Sequence, residues 1–227
     1  MKKKQICSFV IVIIAVIIGA MIYFYSNGNN NTIELKKSDG GIEVSYVDGN
    51  YKNESKSNLA EIKQDKIWND DKYCIVEGTV EKANNIEIRI DDKKMYNAII
   101  EIKVESDIKG HKFYKGKIKE GSTISVLSGC ATMKEEIYQE DSYINSQIEE
   151  GDRGIFIIHK YGIDDTLELN QKILYLSELA DYGFEDAERF AFIEKNGNIL
   201  FSSNFYKDLK DNAKLDEVKS YIEDKIK

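Results

Sequence analysis

The sequence predicts a mainly β protein: a small antiparallel barrel with flanking helices, carried behind one N-terminal transmembrane helix. Three observations predict it. Residues 6–25 are twenty consecutive uncharged residues. From Tyr73 onward, five to seven short segments alternate or run apolar between turns built of Asn, Asp and Gly. Helical stripes stand before and after those segments, and short strands joined by tight turns close most readily as a barrel.

The chain has 227 residues and a formal charge of −8, with no Pro. At ordinary usage roughly 5% Pro, or about eleven residues, would be present. Its absence excludes Pro-rich linkers and polyproline ligands. With Lys, Asn, Ile and Tyr abundant, it also matches the coding bias of an AT-rich genome. The charge is unevenly placed. Residues 1–25 contain Lys2, Lys3 and Lys4 and no acid, so the rest of the chain carries 29 basic against 40 acidic groups, a net of −11. Affinity for nucleic acid rests on neutralising phosphates, so nucleic acid is not an expected partner.

The apolar segment from Ile6 to Tyr25 reads ICSFVIVIIAVIIGAMIYFY. About twenty helical residues at 1.5 Å each span the roughly 30 Å hydrocarbon core. Tyr23, Phe24 and Tyr25 sit where an interfacial aromatic belt belongs, and the three lysines put the N-terminus inside. A cleaved signal peptide needs a shorter core and a small-x-small site. A lipoprotein needs Cys at the far end, whereas Cys7 is at the near end. An uncleaved signal anchor fits best. The expected partition is a cytoplasmic tip over residues 1–5, the bilayer-spanning anchor over 6–25 and a polar stalk over 26–56. An extracytoplasmic barrel over 57–203 and a C-terminal amphipathic helix within 204–227 complete it. Any activity is then outside the cell membrane.

Within the stalk, Ile42, Val44 and Tyr46 alternate as a short strand. Ser57 or Asn58 caps a predicted helix to about Asn69, with Glu61 placed as in a capping box. YCIVEGTVEK is the first barrel strand. Asn84-Asn85 then reads as a turn, IEIRI as a strand, residues 91–94 as a second turn and MYNAIIEIKVE as a strand. Residues 110–121 read as a basic loop and STISVLS as a further strand. Met133, Ile137, Ile144 and Ile148 form the inner stripe of an irregular helix. GIFIIHK is continuous enough to be buried on both faces. Residues 161–189 read mostly as loop, with short helix around 185–189. FAFIEK-NG-NILFSS is a hairpin on the favoured Asn-Gly pair. Leu215, Val218, Ile222 and Ile226 share one face of the last helix.

Three segments carry a family resemblance. They are Tyr73-Cys74-Ile75-Val76-Glu77-Gly78-Thr79-Val80, Lys119-Glu120-Gly121-Ser122-Thr123-Ile124-Ser125-Val126-Leu127, and Gly151-Asp152-Arg153-Gly154-Ile155-Phe156-Ile157-Ile158. Over about residues 58–160 the chain resembles the OB-like barrels of secreted and membrane-anchored Gram-positive envelope proteins. That resemblance implies an extracytoplasmic barrel, not a chemistry, and carries over no ligand residues.

Chemical constellations are sparse. His159 ends an apolar strand and His111 stands in a Lys-rich turn; neither HExxH nor CxxC occurs, and no metal or other cofactor is expected. Cys74 and Cys130 are a candidate disulfide closing a loop of about 55 residues, set against two reduced thiols. His111, Cys130 and Arg153 occur in sortase order, but Val126-Leu127-Ser128-Gly129-Cys130 does not match the sortase motif. Ser106 and Lys109 match S-x-x-K without its partner motifs. Acid pairs such as Asp91-Asp92 and Asp164-Asp165 read as solvated turns. The expected role is non-catalytic binding or assembly, with an envelope protein or wall polymer as partner. A Cys-His envelope enzyme and a structural accessory subunit are the alternatives.

Overall fold

The structure, a computed structural model, describes residues 31–48, 62–110, 118–132 and 142–226. The anchor at Ile6 to Tyr25, Cys7, His111, Met133 and Ile137 lie outside them. No helix among the described residues is long and apolar enough to cross a membrane.

The described chain is mainly β, a large sheet with a few short helices. In order it runs β1 (Thr32–Ile33), β2 (Ile42–Tyr46), α1 (Gln64–Asn69), β3 (Tyr73–Ile90), β4 (Lys93–Lys109), β5 (Thr123–Ser128), α2 (Tyr143–Ser146) and β6 (Arg153–Lys160). There follow β7 (Thr166–Leu169), β8 (Lys172–Tyr175), a 3-10 turn at Leu176–Glu178, β9 (Tyr182–Gly183), β10 (Ala191–Lys195), β11 (Asn198–Leu200) and α3 (Leu215–Lys225). Nine strands form one sheet in the order β1-β2-β3-β4-β5-β9-β6-β10-β11, and β7 and β8 pair separately.

The pairings close on themselves. β3 pairs antiparallel with β4 along nearly its whole length, and its first half also pairs antiparallel with β6, from Tyr73 opposite His159 to Thr79 opposite Arg153. β4 pairs with β5, β5 runs parallel to β9 at Val126 and Leu127, and β9 pairs with β6. The cycle β3-β4-β5-β9-β6-β3 is therefore complete.

Asn84-Asn85 does not turn the chain; β3 runs straight through it. Asn84 and Asn85 lie opposite Ile99 and Ala98, and the Asn85 side chain holds the backbone of Thr132 through two hydrogen bonds of 2.8 Å. The register slips earlier, at three places, the last of them between Val80 and Lys82. One extra residue in a strand reverses which face each later side chain takes. Val76 and Val80 thus enter one core, together with Ile100 and Ile102 of β4. Ile86, Ile88 and Ile90, on the same numerical phase, enter a second core with Ile99 and Leu127 on the other face of the sheet.

The first core is closed by α1 through Ile67 and Trp68, by β10 and by Leu215, Val218 and Ile222 of α3. The α1 helix begins at Gln64, later than the sequence suggests, and residues 49–61 lie outside the described chain. Of the irregular stripe, Ile144 and Ile148 are buried, on and just after the single turn of α2.

Two segments differ more from expectation. Residues 31–48 do not belong to a stalk: Ile42 and Val44 are buried, and β2 pairs with β3 from Ile42–Ile90 to Tyr46–Ile86. Residues 161–189, read as mostly loop, carry a hairpin and the short strand β9 within that loop. β7 and β8 form a hairpin whose Asn170 and Gln171 both take positive φ, 53° and 63°. This hairpin covers the second core with Leu174, Leu167 and Leu169.

The two added segments are locked together. The Glu178 carboxylate accepts the backbone N–H groups of Lys36 (2.5 Å), Lys37 (2.9 Å) and Ser38 (2.9 Å) and the Ser38 hydroxyl (2.6 Å). Burial raises its pKa, but these donors outweigh burial and bring it down to about 2. A free Glu titrates near 4.3. A depressed folded pKa contributes stability that is complete above the unfolded value and lost as pH falls toward the folded one. Hydrogen exchange at residues 36–38 is therefore expected to accelerate between about pH 4.5 and 2, and Glu178→Gln to be fast at every pH. Equal protection in the variant and the parent at pH 6 would contradict this.

Candidate functional site

The hairpin does not seal the outer face of the sheet. Between them lies a cleft of about 490 Å³. Ile88 of β3, Met95 of β4 and Leu127 of β5 form its floor; Leu167 and Leu176 form its roof, and Phe184 and Tyr161 its end. The alternation of β4 aims Met95 at this face with Ile99, and the bulge in β3 brings Ile88, opposite Met95, to the same face. Lys94 and Tyr96 border the cleft and reach the neighbouring Glu87: Lys94 Nζ and the Tyr96 hydroxyl each donate to it at 3.0 Å, and Arg89 donates to the same carboxylate at 2.6 Å. Burial raises the Glu87 pKa, but Arg89, Lys94 and Tyr96 outweigh it and bring it to about 2. Asn97 donates to the Ser128 carbonyl at 2.9 Å.

A second cleft of about 370 Å³ adjoins the first and shares Tyr161, Thr166, Leu176 and Phe184 with it. Its chemistry is polar: Lys72, His159, Asp164, Asp165 and Glu185 line it. Lys72 Nζ pairs with Glu185 at 2.9 Å. Asp165 accepts the Gly162 N–H at 2.6 Å, which fixes the turn leading into β7. His159, at the end of β6, packs edge-on against Tyr161, with centroids 5.1 Å apart. Its Nδ1 is buried without a hydrogen-bond partner, 3.9 Å from Glu185 Oε2. Burial lowers the His159 pKa, against the raising effect of Glu185 and Asp165, so the imidazole is neutral at pH 7. Tyr161 lies over Gly183, where a Cβ would collide with its hydroxyl. The missing side chain at β9 is what lets Tyr161 stand between the two clefts.

The residues singled out in the sequence are mostly placed elsewhere. Cys74 and Cys130 are separate thiols, both buried, and the candidate disulfide is not formed. Cys74 lies inside β3 opposite Ile158, while Cys130 follows β5 with its Sγ 3.6 Å from Ser128 Oγ and 3.8 Å from the Ser142 carbonyl. Burial pushes the Cys74 thiol up to about 12 and the Cys130 thiol to about 11, so neither supplies a thiolate at neutral pH. Both are expected to resist iodoacetamide at pH 8 until denaturant unfolds the chain; prompt alkylation of either in native buffer would contradict their burial.

Arg153 is spent on Glu77 at 2.5 Å and Glu105 at 3.0 Å. Lys109 donates to the Trp68 and Asp70 carbonyls at 2.8 and 2.7 Å, and Ser106 accepts from Lys219 at 3.3 Å, so the S-x-x-K residues serve the packing of α1 and α3. Trp68 is buried against Tyr206 and Tyr221. Asp91 pairs with Lys172 at 2.5 Å. Among the described residues, no group of three or more His, Cys, Asp or Glu side chains is placed to hold a metal.

Of the residues that line the clefts, the sequence singled out only His159 and the Asp164-Asp165 pair. Leu167, Leu176 and Phe184 lie in the segment expected as loop, and Glu185 in an expected short helix at 185–189 that the structure does not form. Leu167 and Leu169, alternating before Asn170, with an apolar run at Ile173 and Leu174 after it, are the signal that marks this hairpin. Comparison with protein-family models, with curated proteins and with solved structures finds no match to this chain.

Proposed function

We propose that this chain is a non-catalytic binding module of the cell envelope, held on the outer side of the membrane by the segment from Ile6 to Tyr25 and built on an OB-like barrel. The barrel reading is supported by the order of pairing. A long, bulged first strand pairs with both its neighbours, and the only parallel pair in the cycle joins the third and fifth strands, β5 and β9. A five-stranded Greek-key barrel of the OB type has that arrangement. The envelope reading is supported by the uncharged twenty-residue segment and by the +3 tip set against a −11 remainder.

The observation that carries binding is the pair of adjoining clefts, concave and largely apolar, with polar groups gathered at one end. The described thiols are not part of the cleft that holds His159: Cys74 and Cys130 are buried in strands and turns and stay protonated. This favours a ligand held over a ligand transformed.

The test uses the full chain in intact cells with a photo-crosslinking residue at Thr166, on the shared wall of the clefts. An adduct with an extracytoplasmic protein or wall polymer, lost in a Leu167→Asp variant that still folds, supports the proposal. Adducts only with cytoplasmic components, or none, would overturn it.

A further inference from the structure

We infer that the adjoining clefts form one site for a small organic cation: an ammonium group carried on an apolar body of small-molecule size. This rests on the binding role proposed above and names its ligand class. Volumes of about 490 and 370 Å³ lie in the range of small-molecule sites, which are mostly apolar with a few orienting polar groups. The larger cleft supplies the apolar part. Ile88, Met95, Leu127 and Leu167 line it, and its one charged side chain, Lys94, is already engaged by Glu87.

The smaller cleft decides the charge of the ligand. Asp164, Asp165 and Glu185 face a single cation, Lys72, and that cation is paired with Glu185. With the imidazole neutral, the end is negative by two charges. Acceptors are also in surplus there. Asp165 has one N–H partner, from Gly162, and Asp164 has no hydrogen-bond partner among the described residues. His159 Nδ1 is buried and unpartnered, and with the proton on Nε2 it offers a lone pair. An ammonium carries three donors and no acceptor, so it satisfies this end; a carboxylate would meet the repulsion of the net negative charge. The ligand's carbons lie along Met95 and Leu167, and its nitrogen passes Tyr161 to the acids.

The experiment uses the full-length chain in lipid nanodiscs, with empty nanodiscs as the blank, and three probes that differ only in the head group: phenylbutylamine, phenylbutanol and phenylbutyrate. Calorimetric titration is expected to show saturable binding of the amine, about tenfold tighter than the alcohol and tighter still than the carboxylate, the scale of one charge-assisted hydrogen bond. The Asp164→Asn Asp165→Asn double variant is expected to weaken the amine about tenfold and leave the alcohol unchanged. Asp164→Asn alone, which removes no bond within the protein, is expected to weaken it about threefold. Equal binding of all three probes, an amine affinity indifferent to both variants, or no saturable binding would overturn the inference. Tighter binding of a lysine-bearing tripeptide than of the amine would also overturn it, since the ligand would then be a peptide. Loss of amine binding with the envelope crosslink retained sinks this site alone. The reverse pattern sinks the envelope role and leaves the site.

Discussion

Gly78→Val is expected to destabilise the protein by about 3 kcal/mol, the upper range for forcing a side chain into a packed interior. Gly78 lies where β3 is paired on both sides, opposite Val104 of β4 and opposite Gly154 of β6. A Cβ there would stand 2.5 Å from the Lys103 carbonyl oxygen and 2.7 Å from Ile102 Cγ2. Neither neighbour can retreat, because both belong to a strand already bonded on its other edge to β5. Gly154 is similarly confined, with a Cβ falling 2.5 Å from the Phe192 carbonyl oxygen. The two glycines let the strands approach where the cycle of pairings closes. Gly40, with nothing within 4 Å of its Cβ position and no positive φ, is the control, and Gly40→Ala is expected to change stability by less than about 0.5 kcal/mol. Denaturant unfolding followed by the fluorescence of Trp68, the single tryptophan, reads both variants. A Gly78→Val midpoint equal to that of Gly40→Ala would show that β3 is not confined on both sides.

Tyr206→Ala is expected to cost about 3–5 kcal/mol, as large aromatic truncations in cores do. Tyr206 follows β11 in a segment without regular structure, yet it is fully buried. Its ring packs on Phe192 of β10 (centroids 4.8 Å apart), Phe205 (4.9 Å) and Trp68 of α1 (5.9 Å). Its hydroxyl donates to the Arg189 carbonyl at 2.6 Å. Burial therefore raises its pKa well above the usual 10. Tyr206→Phe keeps the ring and removes the donor, so it should cost about 1 kcal/mol. The two variants separate the packing of this residue from its bond. If Tyr206→Ala unfolds at the same denaturant concentration as Tyr206→Phe, the aromatic cluster is not what fastens α1 and the last helix to the sheet.

The sequence is most legible where one local rule acts alone. Asn196-Gly197 has φ of 52° and 75°, the conformation the hairpin turn demands. Asp91 turns the chain between β3 and β4 with φ of 54°. Residues 154–158 are buried throughout, as their continuous apolar run implies. Leu215, Val218 and Ile222 form the inner face of α3, with the Glu217 carboxylate accepting the Lys214 N–H at its start.

Legibility fails where two rules compete. Asn84-Asn85 has turn chemistry, but pairing with β4 overrides it and gives the Asn85 side chain a loop to hold. The bulge at Val80–Lys82 leaves no mark in the hydrophobic pattern: the isoleucines of IEIRI keep an even phase while changing faces. That hidden reversal turns the outer face of the sheet apolar. An apolar outer face needs a cover, which the β7–β8 hairpin and residues 31–48 provide. The clefts lie under that cover, so the site depends on a bulge that leaves no sequence signal. Gln171 at positive φ concealed the hairpin for a related reason, since Gln is an unusual residue in such a turn.

β3 closes the sheet by pairing with β6 as well as β4. Proton–proton NOEs in the solubilised full-length chain test it most directly. Hα–Hα contacts are expected at the non-hydrogen-bonded pairs Ile75–Ile157, Glu77–Ile155 and Thr79–Arg153, the register that also sets Val76 opposite Phe156. Contacts from residues 73–79 to β4 alone, with none to residues 153–159, would contradict it.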